Sequence, residues 1–154
     1  MITDRVRAKK HFGQHFLNDE QIAKQIVEAL QLPADCKQVL EIGPGMGVLT
    51  KYLVEKSEFE TYVSEIDFES IKYIQEHFPS LKEKIVQGDF LQIDIAKQFS
   101  GSVSIIGNFP YNISSQILFK VLENKNQVPL VVGMFQKEVA VRLTSQPGNR
   151  DYGI

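Results

Sequence analysis

Three glycines in five positions, within Glu41-Ile42-Gly43-Pro44-Gly45-Met46-Gly47, interrupt an apolar run at 38–42 and lead straight into a helical pattern at 48–56. The run is short enough for a buried strand, and Leu49, Tyr52 and Leu53 form the inner stripe of the helix. Glycine permits the left-handed backbone and the close approach that such a junction needs, and the emerging helix leaves free N–H groups facing it. A strand, a glycine turn and a helix make the repeating unit of a parallel sheet covered by helices.

The rest of the chain repeats the alternation. Asn18 or Asp19 is placed to cap a helix running to about Leu32, with Ile22, Ile26, Val27 and Leu30 on one face and Pro33 stopping it. Further helices are expected at 69–78, ended by Pro79, at 114–123 and at 137–144; strands are expected at 61–65, 84–86, 103–107 and 130–135. Residues 147–150 read as a turn. Five strands with right-handed crossovers predict a Rossmann-like, doubly wound and mostly parallel α/β sheet. The chain stops at Tyr152-Gly153-Ile154, where a further element is due, so the sheet is expected to be incomplete at its carboxyl end.

At 154 residues, with 43% hydrophobic and 23% charged residues, the chain has the size and composition of one globular domain. One cysteine, Cys36, excludes an internal disulfide framework and fits a reducing compartment. No apolar run resembles a signal peptide or a membrane span, so a cytoplasmic location is expected. A net charge of -2 does not mark a nucleic-acid binder, yet residues 5–10 hold Arg5, Arg7, Lys9 and Lys10 and no acid. Such an arm can contact phosphates or simply sit in solvent. His11, His15 and His77 lack ligand-like spacing, and no metal is expected.

The glycine spacing selects among ligands. Val48 stands where a dinucleotide fingerprint has its third glycine. The spacing present, with Glu41 two residues ahead of Gly43, resembles the first motif of the S-adenosylmethionine-dependent methyltransferases, where Gly43 and Gly45 would line the loop that holds the cofactor's amino-acid end. Glu65 closes the second strand about 20 residues further on, where an acid can accept hydrogen bonds from both ribose hydroxyls. Asp89, in Gly88-Asp89-Phe90, closes the third, where a carboxylate can accept from the adenine amine and an apolar neighbour can flank its ring. Taken singly, each acid is an ordinary surface carboxylate. The glycine loop, Glu65 and Asp89 at the carboxyl ends of three neighbouring strands, in the right order, fit the ligand-binding edge of an open α/β sheet.

Gly107-Asn108-Phe109-Pro110-Tyr111 follows the fourth strand. An aromatic exocyclic amine is a poor nucleophile because its lone pair is delocalised into the ring. Hydrogen bonds from its N–H groups to the Asn108 side-chain oxygen and to a backbone carbonyl such as that of Pro110 favour a pyramidal nitrogen aimed at a methyl donor. Tyr111 offers an aromatic face for the base. Relatives acting on DNA adenine or on protein glutamine usually carry proline directly after the Asn or Asp, where this chain has Phe109.

Phe109 with the following Pro-Tyr-Asn-Ile-Ser resembles the ribosomal RNA adenine N6-methyltransferases, and most closely the small-subunit adenine dimethyltransferases. Lys10-His11-Phe12-Gly13-Gln14-His15-Phe16-Leu17 is similar to that family's F-G-Q-N-F-L motif, with His15 where Asn is usual; Gln136–Val139, Arg142-Leu143 and Tyr152-Gly153 are similar to its later segments. The resemblance implies residues 1–17 as a basic segment over the cofactor site and 18–154 as the S-adenosylmethionine-binding catalytic domain. It implies cofactor contacts at His15, Leu17, Gly43, Gly45, Glu65, Asp89 and Asn108, and catalytic roles for Asn108, Pro110 and Tyr111. It further implies a monomer that acts on small-subunit rRNA in a pre-ribosomal particle, rather than on DNA, and dimethylates two adjacent adenines near the 3′ end. The family's last strands and small RNA-engaging helical domain lie beyond the matched motifs, so low activity is expected of this chain by itself. Two other readings are a large-subunit rRNA methyltransferase of the macrolide-resistance type and an assembly factor that binds pre-rRNA without needing catalysis.

Overall fold

The computed structural model describes residues 20–109 and 112–135. Within them the order is α1 (Glu20–Glu28), β1 (Gln38–Ile42), α2 (Thr50–Leu53), β2 (Glu60–Glu65), α3 (Phe68–His77), β3 (Ile85–Gln87), α4 (Ile95–Gln98), β4 (Ser104–Asn108), α5 (Ser114–Glu123) and β5 (Val131–Met134). Short 3-10 turns lie at Pro79–Leu81 and Phe90–Gln92. The strands lie side by side as β3-β2-β1-β4-β5, and every pairing is parallel.

Alternation along each strand divides the core between two faces. Val39 and Ile106 pack with Ala23, Ile26 and Val27 of α1 and with Leu49 and Leu53 at α2. Val63 lies on the same face, through the registers Val39↔Thr61 and Glu41↔Val63, and packs against Ile74 of α3 and Leu81. On the opposite face Leu40, Ile42 and Ile105 meet Ile95 of α4 and Ile117 and Val121 of α5. Burying one such side chain contributes about 1.5–3 kcal/mol. A central parallel strand is covered on both sides and is therefore almost wholly apolar. Glu41, 1% exposed in the middle of β1, breaks that pattern.

The structure departs from the sequence expectation at several ends. α1 stops at Glu28 rather than near Leu32, because the residues ahead of Pro33 are steered out of the helical region, while Leu30 and Leu32 still reach the core. It presents Ala23 to the sheet in place of Ile22, which is 38% exposed; the smaller side chain allows the helix to sit closer. α2 is only four residues long, since turns occupy the segment up to Leu49. β3 and β4 each lie one residue further along than expected, which brings Asn108 into β4. α4 and the turn after Asp89 carry little periodicity, and are instead started by Asp94 and Asp89 accepting from backbone amides. The expected helix at 137–144, the turn at 147–150 and the basic arm lie outside the described residues. Among the described residues no helix is long and apolar enough to cross a membrane.

Gly107 and Gly133 face each other in register, and the ring of Phe109, 4% exposed, lies over both. A Cβ on Gly133 would run into the Gly107 carbonyl oxygen and the Phe109 ring. Gly133→Ala is expected to lower stability by about 1–3 kcal/mol, read as a reduced urea midpoint with an unchanged slope; an unchanged midpoint would contradict this packing.

Candidate functional site

The chain runs from β1 outward through β2 to β3, then returns to the far side of β1 for β4. That change of direction leaves a crevice at the carboxyl ends of β1 and β4, the place where open α/β sheets bind ligands. The glycine loop forms its floor. Gly43, Gly45 and Gly47 all have left-handed backbones, with φ of 66°, 57° and 82°. Gly43 N–H donates to the Ser64 carbonyl at 2.9 Å, and Gly47 N–H closes a turn on Pro44 at 2.8 Å. A Cβ on Gly47 would stand 2.6 Å from the Phe78 ring, so the end of α3 packs directly under the loop.

Two buried carboxyls flank this loop. Glu65, 2% exposed, ends β2; its Oε2 accepts from the amides of Ile66 at 3.0 Å and Asp67 at 2.9 Å. Its Oε1 is buried and makes no hydrogen bond among the described residues. Burial pushes the Glu65 carboxyl up, against the opposing effect of the Asp67, Ile66 and Gly45 amides. Asp67 in turn caps α3, accepting from the amide and hydroxyl of Ser70. Glu41 is the second carboxyl, with Thr50 Oγ1 donating to its Oε1. Burial pushes Glu41 up to about 8, the Thr50 hydroxyl opposes this and the nearby Glu65 adds to it.

β3 reaches the same edge through Gly88 N–H, which donates to the Glu65 carbonyl at 2.8 Å. The next residue, Asp89, is half-buried and accepts from Leu91 N–H at 3.0 Å, which fixes the turn that follows. Phe90 is turned into the core, so the apolar side chain presented at this edge is Ile66, 43% exposed. On the other side of the loop Asn108 is the last residue of β4, half-buried and opposite Met134 in register. Phe109 continues the ladder through its N–H to the Met134 carbonyl at 3.3 Å, and its ring lies 4.8 Å from that of Phe135. The clamp on Phe109 sets where the neighbouring Asn108 emerges.

In space the order is therefore Asp89, Glu65, Gly43 with Gly45, then Asn108, on four adjacent strand ends. His15, Leu17, Pro110 and Tyr111 lie outside the described residues. Ile66 and Thr50 carried no role in the sequence reading, and Glu41 entered it only as the acid ahead of the glycine motif. An acid embedded in the apolar run 38–42 was the available signal for Glu41; Ile66 gave none beyond its place after Glu65. Among the described residues no group of three potential metal ligands comes together.

Solved structures similar to this one include methyltransferases. A dimethyladenosine transferase from Plasmodium falciparum matches with a TM-score of 0.69 and 30% identity, over 90% of this chain and 50% of that one. The 23S rRNA methyltransferase ErmE matches with a TM-score of 0.71 and 27% identity, over 90% of this chain and 54% of that one. An RNA methyltransferase from Salinibacter ruber, in complex with S-adenosyl-L-homocysteine, shares the fold at a TM-score of 0.58 and 15% identity, over 87% of this chain and 84% of that one. The fold is thus the Rossmann-like fold of this methyltransferase class. The family model for ribosomal RNA adenine dimethylase matches residues 5–154, and the chain belongs to that family. A curated relative, ribosomal RNA small subunit methyltransferase A of Cytophaga hutchinsonii, is 57% identical over 98% of this chain and 58% of its own length. The chain thus spans little more than half of that relative.

The Glu41 carboxyl has a direct consequence for stability. The folded chain keeps a proton there that the unfolded chain releases above its ordinary value of 4.5. The associated stability is fully present below that value and is lost as pH rises through about 8. Glu41→Gln, which retains an acceptor for Thr50 but cannot ionise, is expected to flatten the fall in unfolding free energy over this window. An identical pH slope in the variant would place the titration elsewhere.

Proposed function

We propose that this chain is the cofactor-binding and catalytic part of an S-adenosylmethionine-dependent rRNA adenine N6-dimethyltransferase. The observation that carries the reading is Glu65 Oε1, a buried carboxylate oxygen without a partner among the described residues, beside three left-handed glycines at the switch point. Leaving a buried acceptor unsatisfied costs roughly 1–3 kcal/mol, and a ribose hydroxyl donated to it would remove that cost. Asp89 would accept from the adenine amine, Ile66 would flank its ring, and Gly43 and Gly45 would line the amino-acid end. His15 and Leu17 would cover the site from the amino-terminal segment. When bound, the cofactor supplies an electrophilic methyl group on a sulfonium.

The chain's own residues handle the acceptor. Asn108 Oδ1 and the Pro110 carbonyl would accept hydrogen bonds from the two amine N–H groups, concentrating the lone pair on nitrogen and fixing its direction. Tyr111 would stack on the base, which must be unpaired or flipped out to reach it. No general base is required, because the nitrogen loses its proton after it becomes cationic.

The proposed substrate is the small-subunit rRNA within a pre-ribosomal particle in the cytoplasm, with two adjacent adenines near its 3′ end dimethylated during ribosome biogenesis by a monomeric enzyme. The much higher identity to a small-subunit relative than to the 23S enzyme supports this choice over the large subunit. The Asn108 placement supports catalysis over a purely binding role in assembly.

Titration calorimetry of the chain with S-adenosylmethionine is expected to show binding that Glu65→Ala weakens about 10- to 100-fold, the loss of hydrogen bonds to a charged acceptor. Equal affinity in a Glu65→Ala, Asp89→Ala double variant would reject the pocket. In a chimera continued by the remainder of the Cytophaga hutchinsonii relative, Asn108→Ala is expected to cut methyl incorporation into small-subunit particles by about 100-fold or more, with cofactor affinity and unfolding midpoint largely retained. Unimpaired incorporation would remove Asn108 from the catalytic role.

A further inference from the structure

We propose that Glu41 and Glu65 act as one two-carboxyl unit beneath the glycine loop, holding a single proton in the free chain and releasing it when a cationic ligand enters. The inference rests on the cofactor reading above and adds a proton to its binding equilibrium. Both side chains are almost wholly buried, at 1% and 2% exposure, on neighbouring central strands. Residues 41, 63 and 65 point to the same face of the sheet, so the two carboxyls flank the same side of the loop.

Among the described residues the groups around the pair are neutral or acidic. Glu41 is flanked across the sheet by Val63 and Ile106, and from α2 by the Thr50 hydroxyl. Glu65 meets the Ile66 and Asp67 amides and the charge of Asp67 itself, whose carboxyl is held by Ser70. Among the described residues no cation acts on either carboxyl. Two carboxylates buried on the same face of neighbouring strands cannot both ionise at low cost, and Glu41, the more deeply buried of the two, is the one that keeps its proton. Burial is the main cause of the raised Glu41 position, and the charge of Glu65 adds to it.

A ligand carrying an ammonium and a sulfonium against one carboxylate brings net positive charge to this site. Its approach favours the fully ionised pair, and a hydroxyl donated to Glu65 Oε1 favours it further. The proton then leaves to the buffer. Ligand affinity must consequently rise with pH up to the point where the free pair has already lost its proton. Glu41 is a positioning and charge-setting residue in this scheme, and makes no contact with the reacting atoms.

The test is calorimetric titration of the whole chain with S-adenosylmethionine near pH 7, in phosphate and in Tris, whose ionisation enthalpies differ. The expected result is a buffer-dependent heat corresponding to release approaching one proton, with affinity rising by up to about tenfold per pH unit toward pH 8. Glu41→Gln is expected to bind with no net proton release and with no gain in affinity toward pH 8, where the ligand's own ammonium begins to lose its proton. Binding by the native chain with buffer-independent heat overturns the inference and leaves the cofactor reading standing, as does undiminished release in Glu41→Gln. Absence of binding overturns both. Should Glu41→Gln not fold, the carboxyl carbons of a ¹³C-glutamate-labelled native chain decide: the Glu41 signal should titrate at the elevated position when free and stay in its ionised position when S-adenosylmethionine is present. A Glu41 signal already ionised in the free chain at pH 6 refutes the proposal.

Discussion

Right-handed crossovers leave a parallel sheet one way to cover both of its faces: the chain must reverse its direction of winding, and this chain does so between β1 and β4. With α1, α2 and α3 on one face and α4 and α5 on the other, no crossover helix closes the gap at the carboxyl ends of those two strands. The glycine loop, Glu65, Asp89 and Asn108 owe their proximity to that reversal, although they are drawn from widely separated parts of the chain. Their positions are then tightened locally: Gly43 is tied to Ser64, Gly88 to Glu65 and Phe109 to Met134.

Burial gives the site its electrostatic character. Along β1 the apolar residues Val39, Leu40 and Ile42 satisfy the demands of a strand covered on both faces, whereas Glu41 and the adjacent Glu65 do not. A fold selected for stability alone would place hydrophobic side chains at both positions, because a buried carboxyl is costly unless fully hydrogen-bonded. Among the described residues Glu65 Oε1 lacks a partner and Glu41 has a single side-chain bond, to Thr50. The sheet therefore carries unmet negative potential just where its geometry admits a ligand.

Much of this was legible in the residues. The apolar run 38–42 and the segment 114–123 predicted β1 and α5 with their observed bounds, since strong periodicity and clear breakers flank both. Gly43, Gly45, Glu65, Asp89 and Asn108 were expected at strand ends, and the structure brings them to one edge. Other features depend on packing that no local pattern encodes. Ala23 rather than Ile22 faces the sheet because helix rotation is set by what it meets. Phe109 reads as a specificity marker in sequence; in the structure its ring is a core anchor seated on Gly107 and Gly133, a pair that becomes meaningful only through strand register. That Glu41 and Glu65 lie on one face of neighbouring strands likewise needs the β1–β2 pairing to be known.

The central claim is that the carboxyl edge of this sheet is the cofactor pocket, and amide NMR of the isotopically labelled chain with S-adenosylmethionine tests it most directly. The account predicts saturable shifts concentrated at Gly43, Gly45, Ile66, Asp67, Asp89 and Asn108, with the opposite strand ends at Gln38, Glu60 and Ser104 unmoved. Shifts gathered instead around the cleft of about 520 Å³ at that opposite end, lined by Leu30, Cys36, Lys37 and Phe59, would contradict it.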